Sequence, residues 1–92
     1  MKIIVKGSFD RDIDNLKSTE LKLTLAEKIS QIKTAKNVHQ ITGLKILRGY
    51  TTHGRILINT SKFRYHIGFI IRGDTIWLVR FLPRKVVYKK FP

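Results

Sequence analysis

Ninety-two residues, 42% hydrophobic and 10% aromatic, are enough for one domain with an adequate core and too apolar for a disordered basic tail. The formal net charge is +13, from 19 basic and 6 acidic residues, and the absence of cysteine excludes disulfides and thiolate metal sites. No apolar run approaches the roughly 18 to 20 residues of a membrane span, and MKIIVKGSFD lacks the apolar region and cleavage site of a secretory signal, so a cytoplasmic protein with no membrane partner is expected.

MKIIVKG is rich in β-branched residues and stops at Gly7, which predicts a first strand over residues 2–6. Ser8 follows as a helix cap, with Asp10 and Asp12 in the first turn, where the helix dipole favours negative charge. Phe9, Ile13 and Leu16 recur at i, i+4 and i+7 and give this short helix one apolar stripe. Ser18 or Thr19 starts a second helix. Its stripe is Leu21, Leu25, Ile29 and Ile32, and Asn37 is its expected stop. The connector of two or three residues predicts a helical hairpin.

From Val38 the pattern changes. VHQITG reads as a connector and LKILRG as a short strand. GRILIN, KFRYHIGFIIR and TIWLVRFL then read as three strands, with Thr60-Ser61 and Gly73-Asp74 as short hairpin joints. The fold class is therefore α+β: an N-terminal strand, a two-helix hairpin and antiparallel strands forming a curled sheet, with the helices on one face. Residues 1–92 form a single domain with no internal repeat or linker.

The charge is not evenly spread. Residues 1–27 hold five basic and five acidic groups, whereas residues 28–92 hold fourteen basic groups against Asp74 alone. The second two-thirds of the chain thus attracts a polyanion, with nucleic acid favoured over an anionic membrane or an acidic protein.

A two-residue loop at Thr60-Ser61 pairs Asn59 with Lys62, Leu57 with Arg64 and Arg55 with His66. Because side chains alternate, Arg55, Leu57, Arg64 and His66 share one face, a cradle suited to phosphate. Ile56, Ile58, Phe63, Tyr65 and Ile67 share the other and should pack on the helices. In the next strand Arg80 aligns with Ile76, Leu78 and Leu82, but one bulge would swap its face. Trp77 reads as core more readily than as a platform for stacking a base. His39 and His53 read as connector and turn residues. The histidines lack a metal-binding spacing and Asp74 lies in a turn, so a metal-dependent nuclease is disfavoured and no cofactor is expected.

Leu47-Arg48-Gly49, then GRILINTSKFRYHIGF with its aromatic-Arg pair Phe63-Arg64, then a Gly-Asp turn and IWLVRFLPRKVVYKKFP, together resemble the RelE/ParE toxin superfamily. The resemblance covers nearly the whole chain. It implies a type II toxin held inactive by a cognate antitoxin. The RelE branch cuts messenger RNA in the ribosomal decoding site, and the ParE branch poisons DNA gyrase. The RelE-like branch is favoured; a gyrase inhibitor and a non-catalytic RNA-binding domain are the alternatives. In the nuclease branch the family's central-strand arginine matches Arg64, its C-terminal catalytic tyrosine Tyr88, and a basic residue on the preceding strand Arg55. A further arginine matches Arg84 or Arg80. A second family lysine falls on Leu57, and a histidine common in relatives falls on Pro83.

Metal-independent RNA cleavage needs a base for the 2′-hydroxyl, cations for the phosphorane and an acid for the 5′-oxygen. Arg64, Arg55 and Arg84 suit the cationic role. Tyr88 is the candidate base or acid. At an ordinary pKa of about 10, roughly one part in a thousand is phenolate at pH 7, and the surrounding cations favour that anion. Arg48, Lys62, His66, Arg80, Lys85, Lys89 and Lys90 are the expected RNA contacts. The expected partners are an antitoxin, the ribosome and mRNA.

Overall fold

Residues Met1–Pro92 are described by a computed structural model, in which each run of alternating β-branched residues becomes a strand. The elements are β1 (Lys2–Val5), α1 (Gly7–Asp14), α2 (Thr19–Thr34), a 3-10 turn (Val38–Gln40), β2 (Leu44–Ile46), β3 (His53–Asn59), β4 (Arg64–Arg72), β5 (Thr75–Pro83) and α3 (Arg84–Lys90). The strands form one sheet in the order β1-β5-β4-β3-β2. All neighbours are antiparallel except β1, which lies parallel to β5. A single sheet with segregated helices is the α+β arrangement that the sequence predicts.

The apolar stripes explain how the layers meet. Ile56 and Ile58 of β3, Ile67 and Phe69 of β4, and Ile76, Leu78 and Phe81 of β5 point to one face. There they bury Phe9 of α1 and Leu21, Leu25 and Ile32 of α2. Each such side chain contributes about 1.5–3 kcal/mol relative to exposure. Ser18 caps α2 as expected, its hydroxyl accepting from the Leu21 N–H at 3.1 Å. The helix stops at Thr34 rather than Asn37; Asn37 instead caps the 3-10 turn through the His39 N–H. Ser8 does not cap α1. Its hydroxyl donates to the Val79 carbonyl and ties the helix to β5. The connector between α1 and α2 is longer than expected, and each helix packs chiefly on the sheet.

The hairpin joints differ from each other. Gly73-Asp74 is the two-residue turn the sequence predicts: Arg72 pairs with Thr75, and Gly73 takes a φ of +60°, which suits glycine. Between β3 and β4 the loop has four residues, not two, closed by the Thr60 N–H on the Phe63 carbonyl at 3.0 Å. Thr60 Oγ1 also accepts from the N–H groups of Lys62 and Phe63. The pairing therefore moves by two: Arg64 faces Asn59, His66 faces Leu57, and Arg55 faces Gly68. A shift of two preserves the side-chain faces, so the division into apolar and basic faces survives the wrong register. Phe63 does not survive it. It lies in the loop, 39% exposed, instead of packing on the helices.

Two features go beyond the sequence expectation, which leaves a bulge in β5 open. One is α3, which packs against β4 and β5 on the face opposite α1 and α2. The other is the edge of β5. Residue 79 is an extra residue in the ladder, because Gly68 pairs with Arg80 and Phe69 with Leu78. Beyond the end of β1, the Asp12 carboxylate takes the place of a strand partner. It accepts from the Phe81 N–H at 2.8 Å and from Arg80 Nε and Nη2 at 2.8 and 3.0 Å. Asp12→Ala leaves all three donors without their acceptor at a partly buried edge, so its denaturant midpoint should fall by the equivalent of about 2 kcal/mol. A change of a few tenths would show that water replaces the carboxylate without loss.

Candidate active site

The basic face of the sheet is crossed by α3, and the helix determines what meets there. Arg84 and Tyr88 stand at i and i+4, so they share one stripe of the helix. Val87 and Phe91, also four apart, form the buried stripe. Tyr88 is consequently turned outward, 53% exposed, over the row of side chains on β2, β3 and β4. The Arg55 guanidinium carbon lies 4.0 Å from the Tyr88 ring centroid and that of Arg84 lies 6.0 Å away. The His66 ring meets Tyr88 edge-on, with centroids 6.1 Å apart.

These groups line a cleft of about 340 Å³ together with Gly43, Lys45, Leu57 and Arg64. A second cleft, of about 400 Å³, adjoins it and is lined by Arg64, Pro83, Arg84, Lys85 and Tyr88. Tyr88, Arg64 and Arg84 thus stand between two hollows, an arrangement that suits a chain passing across the phenol. Neither cleft is lined by a carboxylate, so the donor set matches an anion. A larger hollow of about 550 Å³ lies between α2 and β3. There the Lys28 ammonium is already engaged by Thr42 and Gln31 at 2.8–3.0 Å, and it serves as a tie between elements.

The cleft alters its own titratable groups. The Arg84 guanidinium beside the phenol, followed by the charges of Arg55, Arg84 and Lys45, holds Tyr88 below the ordinary phenol pKa despite some opposing desolvation. Burial, then the charges of Arg55 and Arg84, holds His66 below the ordinary imidazole value, so the ring is neutral at pH 7. Two buried atoms on this wall, Arg55 Nη1 and His66 Nδ1, have no hydrogen-bond partner. Buried polar groups are usually paired, so these two are exceptions on the wall beside Tyr88. The phenol's charge is directly testable. Tyr88 is one of three tyrosines, and a near-ultraviolet titration minus that of Tyr88→Phe isolates it. Its midpoint should lie below about 10 and rise in Arg84→Ala. A midpoint at the free-tyrosine value would separate the guanidiniums from the phenol.

Five of the residues singled out from sequence meet in the first cleft: Arg55, Arg64, His66, Arg84 and Tyr88. Lys85 lines the second, and Lys62 lies in the loop leading to Arg64. Arg48 (in the turn after β2), Lys89 and Lys90 are exposed outside both clefts. Arg80 is removed from the set of free RNA contacts, because its guanidinium is held by Asp12. Of the two candidates for the C-terminal arginine, Arg84 is therefore the one in the cleft. Lys45 was missed. It lies opposite Arg55 on β2 and lines the cleft beside Tyr88; the alternation of Leu44, Lys45 and Ile46 was its only signal. His53 is a strand residue between Tyr50 and Phe91, not a turn residue.

No family model matches the sequence. Toxin RelE3 of Methanocaldococcus jannaschii is 28% identical over an alignment of 99 residues that takes in all of both chains. A chain in the crystal structure of the RelB-RelE antitoxin-toxin complex from Methanococcus jannaschii has the same fold, with a TM-score of 0.74 and 25% identity over 97% of this chain and 99% of that one.

Proposed function

We propose that this chain, similar over its whole length to an archaeal RelE toxin and to a chain of a RelB-RelE antitoxin-toxin complex, is the toxin of a toxin–antitoxin system and an endoribonuclease that cuts mRNA on the ribosome without a metal. The observation that carries this reading is the Tyr88 phenol, placed 4.0 Å from the Arg55 guanidinium carbon in a carboxylate-free cleft that also holds Arg64, Arg84 and Lys45.

Tyr88 as phenolate takes the proton of the 2′-hydroxyl. The 2′-oxygen then attacks phosphorus, the bond to the 5′-oxygen breaks, and the products are a 2′,3′-cyclic phosphate and a 5′-hydroxyl end. Arg55, Arg64 and Arg84 stabilise the added charge of the phosphorane, since a guanidinium fork grips two oxygens at once. Lys45 supplies a further point charge from β2, on the side where Leu57 leaves the wall apolar. His66, 6.1 Å ring to ring from Tyr88, is the proposed proton donor to the leaving oxygen, acting from the minor protonated fraction that its lowered pKa leaves at pH 7. Each unit by which the cations lower the phenol's pKa raises its phenolate fraction at pH 7 about tenfold.

The cytoplasm is the site of action, because ribosomes are there, and the protein partner is an antitoxin. No helix is long and apolar enough to cross a membrane. The decisive experiment induces the protein in bacteria and maps RNA ends within minutes. Codon-phased cuts carrying 5′-hydroxyl ends in translated messages support the reading. Double-strand DNA breaks with intact messages would favour gyrase inhibition, and intact messages without growth arrest would leave an RNA binder.

A further inference from the structure

α3 places Tyr88, yet its own sequence does little to hold it. Four of its seven residues are cations, and the N-cap Pro83 makes no side-chain hydrogen bond to it. Two turns of helix are unstable in isolation, so packing must fix this one. Only Val87 and Phe91 are buried, at 0% and 6% exposure, and neither is part of the main core on the far side of the sheet.

Phe91 fits a hollow made by the absence of a side chain. A Cβ on Gly68 would lie 2.7 Å from Phe91 Cγ and 2.8 Å from Cδ2, too close for any real side chain. Glycine in a strand interior ordinarily weakens it and often marks a close approach; here the aromatic ring occupies the space. The His53 ring flanks Phe91 at 6.0 Å, and the Phe91 N–H donates to the Val87 carbonyl at 2.9 Å, closing the last turn of the helix.

We infer that Phe91 is a positioning residue: seated on Gly68, it clamps α3 to β4 and so holds the Tyr88 ring over Arg55. Without it the helix keeps a single buried anchor, Val87, immediately before Tyr88, and can pivot there. The inference rests on the proposed chemistry of Tyr88, but one of its readouts does not require RNA. The face geometry supports it: His66, Gly68 and Ile70 alternate with the core residues Ile67 and Phe69, so the glycine lies on the side that α3 covers.

The test uses the full chain and three measurements: ribosome-dependent cleavage, the Tyr88 difference titration without RNA, and the thermal midpoint. Phe91→Ala and Gly68→Ala should each lower kcat by about tenfold to a hundredfold, the scale of a displacement near 1 Å, with KM changed by less than about twofold. Each should move the Tyr88 midpoint up toward the free value, and Phe91→Leu should restore most of both. The double variant should be no worse than Phe91→Ala, because the new methyl then meets no ring.

Unchanged kcat and titration in either single variant would overturn the clamp, as would additive losses in the double variant. Global unfolding of Phe91→Ala would also overturn it and make Phe91 a core residue. If the parent protein cuts no RNA but the titration moves as stated, the clamp stands and the nuclease reading fails.

Discussion

Tyr88→Phe is expected to lower cleavage of ribosome-bound message by about a hundred- to a thousandfold, the usual contribution of a positioned acid–base group. Ribosome binding and the thermal midpoint should hardly change. The ring is 53% exposed and none of the main core rests on it. Phenylalanine keeps the aromatic face over which Arg55 stacks at 4.0 Å, so the cation–π contact persists and only the hydroxyl is lost. Single-turnover cleavage with saturating ribosomes isolates the chemical step. A Phe variant that cuts at the parent rate would remove Tyr88 from the reaction and leave it as a stacking surface. The loss should also shrink in Arg84→Ala, because a phenol whose pKa has already risen has less to contribute. Arg84 and Tyr88 form one unit, and their losses should not add.

Why the main site was legible before the fold was known comes down to parity. Arg55, Leu57, Arg64 and His66 were assigned to one face by the two-residue period of a strand, and a register error of two leaves that assignment intact. What the sequence did not reveal was the four-residue loop, because Thr60-Ser61 carries no glycine to announce its geometry. The loop is held by Thr60 Oγ1 and by Glu20 from α2, whose carboxylate accepts from the Ser61 N–H at 3.1 Å and from its hydroxyl. That last contact spans more than forty residues, and local pattern cannot show it. Arg80 was ambiguous for a similar reason, since the bulge and the Asp12 carboxylate that engages it are tertiary features.

α3 was hidden by its composition. Pro83 reads as a strand break, and the cations that follow read as an open tail, so the i, i+4 pairs Arg84–Tyr88 and Val87–Phe91 passed as a basic cluster. Those two pairs were the available signal. Once they are placed on a helix, the question of how a lone tyrosine meets three cations from separate elements has a direct answer: the helix lays one of its own arginines beside the phenol and lowers the ring onto Arg55. Lys45 joins because β2, only three residues long, pairs it opposite Arg55.

The second large effect is expected at Arg55, where activity and stability should move in opposite directions. Arg55→Met should lower cleavage by about a hundred- to a thousandfold, as loss of a transition-state donor does, while raising the free energy of unfolding by about 1 kcal/mol. The second half follows from the free protein. Arg55 is half-buried, its Nη1 is buried without a partner, and Lys45, Arg84 and Arg64 all line its cleft. Methionine of similar reach keeps apolar contact with the Tyr88 ring and removes both the orphan donor and the repulsion. The same change should let His66 titrate higher, since burial and then the Arg55 charge hold it down, and NMR of the imidazole would read that shift without RNA. Arg55→Lys should recover charge but little cleavage, because an ammonium neither stacks flat on the phenol nor grips two phosphate oxygens. Were Arg55→Met instead to lose stability and leave cleavage intact, Arg55 would be a packing residue, and the reaction would lose the cation stacked on the phenol ring.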